Sequence, residues 1–175
     1  MASNQPTQAI DVIPNDDINI PEPGSYLSGT NGSSGTTLTS TNLLEKFLDG
    51  QTNPAGTGYY AKVTVGDVVY EPSTGTIAKV ESVNTNIQLT LSAPGLTGGG
   101  AAYDIYRGNG GVNDLKAGNE GFSLFVGTAG DVSVLPASSE NVVTLKNVAN
   151  NSYVPLQVAR VFATGTSAGD IIALR

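Results

Sequence analysis

The chain has 175 residues and a formal net charge of −7, and charged residues make up only 13% of it. It contains no Cys and no His, which excludes disulfides, thiolate metal sites and catalytic arrangements of the Ser-His-Asp or Cys-His type. The acidic balance argues against nucleic acid as a partner, because phosphate binding needs Lys and Arg. These features predict a protein that is not an enzyme and that holds neither a metal nor a cofactor.

The sequence also gives no sign of a membrane protein. It has no uninterrupted apolar run near the roughly 18 residues that a membrane-spanning helix needs. Its first residues lack the positive charge and apolar stretch of a secretory signal, so we expect synthesis in a cytoplasm without export.

Residues 1–42 predict an extended N-terminal arm. Prolines interrupt helices and strand ladders along its first half, and the segment 29–35 has the composition of a flexible link. A disordered tail is the alternative reading of this composition. Two apolar clusters instead favour a segment that lies on a surface, and we expect a neighbouring subunit to supply it. The predicted partner-binding residues are Ile10, Val12, Ile13, Ile18 and Ile20.

Residues 43–107 predict a β module that begins with a short helix over 43–49. Asn42 and Glu45 have the spacing of a capping box, and Gly50 suits the position just after the helix. Alternating apolar residues and turn signals then predict five short strands. Their predicted ranges are 59–65, 68–70, 76–83, 87–91 and 103–106.

Residues 108–119 are rich in glycine and predict a linker, with a long surface loop as the alternative. Residues 120–175 predict a second β module. Its predicted strands are 122–126, 132–135, 142–145, 153–162 and 170–174. The predicted fold class is therefore mainly β, with an extended N-terminal arm, one short helix and one or two small antiparallel β-sandwich or barrel modules.

Two groups of residues invite a chemical interpretation. Asp67, Asp131 and Asp170 each follow a glycine and could ligate Ca²⁺, but each stands nearly alone, whereas a calcium loop concentrates several acids. Ordinary turns explain them better. The aromatic residues could anchor an interface or cover the small cores, and we favour the cores. They are Tyr59, Tyr60, Tyr103, Tyr106 and Phe122.

Two stretches resemble structural proteins of tailed-phage virions. Residues 65–92, with Gly66-Asp67-Val68-Val69 and Gln88-Leu89-Thr90-Leu91-Ser92, look like β modules of small virion proteins. Residues 130–174 are similar to C-terminal modules of phage and gene-transfer-agent proteins, including spike-base-like ones. That second likeness is carried by Gly130-Asp131, by Val154-Pro155-Leu156 and by the run from Arg160-Val161 through Ala163-Thr164-Gly165-Thr166 to Asp170-Ile171-Ile172-Ala173-Leu174.

The resemblance implies a non-catalytic virion protein, assembled in the host cytoplasm. We expect a capsid decoration (cement) protein that binds the outer surface of the major capsid shell. Its expected partners are the major capsid protein and copies of itself, with a homotrimer as the first expectation. A tail, neck or spike-base component of the virion is the alternative, and a host-surface carbohydrate-binding module is a further one.

Overall fold

The computed structural model describes residues 6–25, 27–41, 47, 63–94, 96–108 and 121–175. Within these residues the fold is mainly β and contains no helix. The strands are β1 (Ala9–Asp11), β2 (Leu27–Asn31), β3 (Thr37–Thr39), β4 (Val68–Glu71), β5 (Thr76–Thr85), β6 (Gln88–Leu91), β7 (Ala101–Tyr106), β8 (Phe122–Thr128), β9 (Gly130–Pro136), β10 (Val143–Val148), β11 (Ser152–Val161) and β12 (Gly169–Leu174).

The chain forms two compact units, and one of them is discontinuous in sequence. Residues 1–24 and 109–175 form what we call the terminal unit, and residues 25–108 form the middle unit. Each unit holds one antiparallel six-stranded sheet. The predicted arm is therefore divided, since its first part belongs to the second predicted β module and its last part belongs to the first.

The middle unit is built from a sheet that nearly closes on itself. The strand order is β2-β7-β4-β5-β6-β3, and the two outer strands meet where Asn31 bridges Ser40. Backbone hydrogen bonds from Gly32 to Thr39 and from Thr41 to Thr30 reinforce this closure. A sheet closed in this way leaves little free edge for other chains. Its interior is an apolar cluster of Leu38, Phe47, Val63, Val69, Ala78, Val80, Leu89, Leu91, Leu96, Tyr103 and Ile105.

The terminal unit has the strand order β1-β12-β8-β11-β9-β10. Alternate residues of its central strands point into the core, as Phe122, Leu124 and Val126 of β8 do, each without exposed surface. At one side of the sheet β1 pairs with β12, and at the other side β10 pairs, among the described residues, with β9 alone. β10 is thus an edge strand of this sheet.

The structure confirms most of the predicted strands and corrects part of the N-terminal prediction. Strands lie at or near nine of the ten predicted ranges. The exception is 59–65, whose first four residues lie outside the described residues and whose remainder is not a strand. The predicted helix over 43–49 is not confirmed and lies outside the described residues except for Phe47, which is fully buried. The predicted linker 108–119 also lies outside them, apart from Gly108.

The flexible link predicted for 29–35 is wrong. Leu27–Asn31 forms a strand on β7, and the following residues turn back into β3. The fully buried Asn31 stabilises this turn, because its side-chain oxygen accepts hydrogen bonds from the backbone N–H groups of Ser33 and Thr39, each at 3.0 Å. The polar composition of this segment is compatible with flexibility. In the fold, however, the polar side chain of Asn31 binds backbone N–H groups and holds the segment in the sheet.

Candidate interaction surfaces

The five predicted arm residues lie against the terminal unit of their own chain. Ile10, Ile18 and Ile20 keep only 7%, 5% and 4% of their surface exposed, and Val12 and Ile13 are half-buried. The sequence pattern predicts that a neighbouring subunit covers these side chains, and the separate extended arm on which that prediction rests is not confirmed. Ile10, Ile18 and Ile20 are thus buried within one chain, and partner binding by the five residues stays a prediction.

Backbone hydrogen bonds explain why this segment belongs to the terminal unit. β1 pairs with β12, and farther along Asn15 and Ile20 donate to the carbonyl oxygens of Val161 and Ala159 on β11, both at 2.9 Å. The pairing of β11 with β8 ends at Val158. Residues 15–20 therefore take over the side of β11 that β8 leaves unpaired.

Polar side chains fasten the same segment. The two carboxylate oxygens of Asp16 accept hydrogen bonds from the backbone N–H and the hydroxyl of Thr164, at 2.8 and 2.7 Å. These bonds from Thr164, the side-chain bond first, lower the pKa of Asp16 below its ordinary value of 3.8. Arg160 donates to the Asn19 side chain at 2.8 Å, and Arg175 pairs with Glu22 at 2.5 Å. Asp16 and Glu22 thus bind the chain's own C-terminal segment.

The three aspartates of the Gly-Asp turns each have a structural role. Asp67 is 3% exposed and accepts hydrogen bonds from the backbone of Thr64 at 2.8 Å and from Arg107 at 3.0 Å. Asp131 pairs with Lys146 at 2.7 Å, and Asp170 accepts a bond from the Thr128 hydroxyl at 2.5 Å. The side-chain bond from Lys146 and the backbone bond from Asn147 lower the pKa of Asp131. In the described part of the chain no three acidic side chains gather into a group that could hold a metal ion.

Both carboxylate oxygens of a buried glutamate in the middle unit accept hydrogen bonds. Glu71 is 1% exposed at the end of β4. One carboxylate oxygen accepts the backbone N–H of Thr97 at 2.8 Å, and the other accepts the hydroxyl of Thr74 at 3.1 Å. The carboxylate thereby joins the β4–β5 turn to the segment before β7, which is a structural task.

Of the five aromatic residues assigned to the cores from the sequence, the three that the structure describes lie in or beside the cores. Phe122 and Tyr103 are 0% and 1% exposed, and Tyr106 stacks obliquely on Tyr70 with ring centroids 4.9 Å apart. This agrees with the core interpretation that the sequence favoured. Tyr59 and Tyr60 lie outside the described residues.

One face of the terminal sheet carries an apolar row that the sequence pattern did not reveal. Tyr153 of β11 lies opposite Phe125 of β8, which in turn lies opposite Ile172 of β12. Their strand neighbours Val154, Leu124 and Ala173 fill the core, so these three side chains point away from it. Tyr153 is 55% exposed, and Phe125 and Ile172 are half-buried. We call Tyr153, Phe125 and Ile172 the outer row.

A second apolar surface lies at the β10 edge of the same sheet. Val142 and Val143 are 52% and 41% exposed, and Leu145 is half-buried. Val143 and Leu145 lie opposite the fully buried Val134 and Val132, so the core face of the sheet continues uncovered to its edge. The residue types at 142–145 predicted a strand, but no local signal indicates that this strand ends the sheet.

The described residues include no helix that is long and apolar enough to cross a membrane. Comparisons of the chain with protein-family models, with curated proteins and with solved structures gave no match.

Proposed function

We propose that this chain is a non-catalytic structural subunit of a tailed-phage virion, namely a capsid decoration protein that binds the outer surface of the major capsid shell. The structural observation that supports this role is the different placement of the acidic and the apolar side chains of the chain. The buried or hydrogen-bonded acids described above fasten strands and turns, whereas three of the four exposed large apolar side chains among the described residues, Tyr153, Val142 and Val143, lie in or beside the terminal sheet. Such a distribution suits a surface that binds protein.

The sequence resemblance supports the same proposal from a different direction. Residues 130–174, which resemble C-terminal modules of virion proteins, include β9 to β12 and hence most of the sheet that carries the apolar surfaces. The stretch with the more specific likeness is therefore also the stretch that is best equipped for binding.

We assign the shell contact to the outer row. Tyr153 presents a large aromatic side chain with a polar tip, a residue type that often anchors protein interfaces. Phe125 and Ile172 extend the apolar surface beside it across two more strands. In this mechanism a pre-formed sheet face docks on the shell, and residues 6–24 stabilise that sheet from within the same chain.

A shell-binding assay tests the proposal. Full-length protein and a Tyr153→Glu variant are added to phage shells that lack this subunit, and bound protein is quantified after sedimentation. We expect many wild-type copies per shell and at least about a ten-fold loss of affinity for the variant, because a charge replaces the aromatic side chain that the contact with the shell buries. Ala102→Glu adds the same charge at an exposed strand position of the middle unit and should bind like wild type.

Electron microscopy of labelled protein on the particle separates the alternatives. Label spread over the shell supports decoration, whereas label confined to one vertex or to the tail indicates a neck, tail or spike-base component. Absence from particles, together with glycan binding that Tyr153→Glu abolishes, would indicate a carbohydrate-binding module instead.

A further inference from the structure

We propose that β10 is a self-association edge, at which the strands of two copies pair antiparallel about a two-fold axis at Val143. This inference concerns contacts between copies of the chain and does not depend on the virion role. It rests on the direction of the backbone groups of β10, on its apolar residues and on the charges that flank it.

The backbone groups of Thr144 point away from the sheet. Its partner on β9 is Ser133, whose carbonyl oxygen accepts from Phe162 N–H at 2.8 Å and whose N–H donates to the Thr166 hydroxyl at 3.0 Å. Both groups of Ser133 are thus directed to the side opposite β10. Ser133 and Thr144 therefore form a non-hydrogen-bonded pair, and the N–H and C=O of Thr144 face outward. The two-residue repeat of a strand gives Val142 the same orientation.

The part of this edge that can pair with another strand is short and apolar. A register shift between Leu145 and Val148, with Asn147 at a φ of 53°, distorts the second half of β10. Bulges and lysines commonly protect sheet edges from pairing, and Lys146 lies beside this one. The protection does not reach residues 142–145, where Val142 and Val143 are exposed.

One antiparallel register satisfies all of these groups. With Val143 opposite Val143 of the second copy, each Val142 lies opposite the other copy's Thr144, and the outward backbone groups form four hydrogen bonds. The two Val143 side chains, each 41% exposed in the single chain, then meet as a close non-hydrogen-bonded pair. The contact buries apolar surface at the point where the core face runs to the edge uncovered.

Charge complementarity favours a second copy as the occupant of this edge. The same register brings Glu140, exposed in the bend before β10, to the end of the contact at which Lys146 of the other copy lies, and the symmetry repeats this pair. Lys146 pairs with Asp131 at 2.7 Å, but its side chain is still 67% exposed. Its ammonium group can therefore bind a second carboxylate. Opposite charges therefore meet at both ends of an uncharged apolar centre.

Disulfide trapping tests the register directly, since the natural chain has no Cys. Val143→Cys places two thiols at a non-hydrogen-bonded pair, where the Cα atoms are about 4.5 Å apart and within the range of a disulfide. We expect mild oxidation to give a covalent dimer on non-reducing gels. Val142→Cys is the matched control, because its side chain is at least as exposed but faces Thr144 of the other copy. Equal cross-linking of the two variants, or none for Val143→Cys, would overturn the proposed register.

Sedimentation measurements test the association of the full-length protein. We expect a species of twice the 17.8 kDa chain mass, and a mass corresponding to one or three chains at high concentration contradicts the proposal. Glu140→Lys should weaken dimerisation about ten-fold, because both ion pairs become repulsive. Glu81→Lys makes the same charge change at an exposed site on β5 and should leave the dimer intact.

A proline substitution tests the backbone contribution. Thr144→Pro removes an outward N–H without removing a hydrogen bond to β9, and we expect a folded monomer, with folding checked by circular dichroism. Thr144→Val keeps the N–H and should remain a dimer. If Thr144→Pro does not fold, the Val143→Cys and Glu140→Lys results still decide the question.

Discussion

At the scale of single residues, buried and hydrogen-bonded polar side chains hold turns and chain segments in place. Asn31, Asp67 and Glu71 are each nearly or fully inaccessible, and each accepts backbone N–H groups that would otherwise lack a partner. In sequence these residues read only as polar positions near turns. Their importance comes from burial, since an unsatisfied donor costs most where water cannot reach it.

Replacing Glu71 should destabilise the middle unit. A Glu71→Ala variant loses a buried carboxylate that accepts hydrogen bonds from the Thr97 N–H and the Thr74 hydroxyl, and we expect a loss of about 1–3 kcal/mol in the free energy of unfolding. Chemical denaturation measures the change. Glu81→Ala removes a carboxylate from an exposed site on β5 and should stay within about 0.5 kcal/mol of wild type.

Asp16 should contribute to the acid sensitivity of the terminal unit. Because the hydrogen bonds from Thr164 lower its pKa in the folded chain below 3.8, the ionised form stabilises the fold at neutral pH, and this stabilisation is lost as the pH falls through the lowered value. Asp131 acts in the same direction.

Thermal unfolding at pH 7 and pH 3 tests this linkage. We expect Asp16→Asn to be less stable than wild type at pH 7 and to lose less stability on acidification. Asp11→Asn removes the same charge from the same segment and controls for net charge. If Asp16→Asn loses as much stability between the two pH values as the wild type does, the assignment is wrong.

At the scale of secondary-structure elements, pairing at the edges decides how the chain is divided. Residues 15–20 pair with the part of β11 that β8 does not reach, and β1 extends the sheet beyond β12. An apolar, proline-containing segment that looks like an arm in sequence is therefore a component of the fold. Prolines are tolerated there because the segment lies at the margin of the sheet.

Truncating Ile20 should weaken the fold of the chain itself. Ile20 has only 4% of its surface exposed. Ile20→Ala therefore removes a packed side chain and should lower the free energy of unfolding by about 2–5 kcal/mol. The half-buried Ile13 offers a matched control, and Ile13→Ala should cost clearly less. Unchanged stability together with a loss of oligomer mass would instead support the sequence-based view that a neighbouring subunit covers these residues.

At the scale of the whole molecule, one compact unit interrupts the sequence of the other. The N-terminal 24 residues and the last 67 belong together, and the middle unit lies between them in the chain. Of the two sheets, the middle one joins its outer strands through a bridge, whereas the terminal one ends in β10. The exposed apolar groups that support binding to other molecules lie in the terminal sheet, at Tyr153 and at Val142 and Val143.

The order of amino acids was sufficient to predict that the chain is mainly β and where most of the strands lie. Alternation of apolar and polar residues, as in Gln88–Leu91, is a local property of the sequence, and it is retained in the folded strand. The missing Cys and His likewise exclude whole classes of chemistry by composition alone, whatever fold the chain adopts.

Which segments pair, and which surfaces remain uncovered, is settled only in three dimensions. Nothing local to Ile18 or Ile20 specifies whether the chain's own sheet or a neighbour buries them, because burial depends on residues more than a hundred positions away, such as Ala159. The same holds for Val143. The apolar residues around it are typical of a core strand, but its strand, β10, lies at the edge of the sheet. The order of strands in a sheet depends on all long-range pairings together, and this order cannot be inferred from a local sequence pattern.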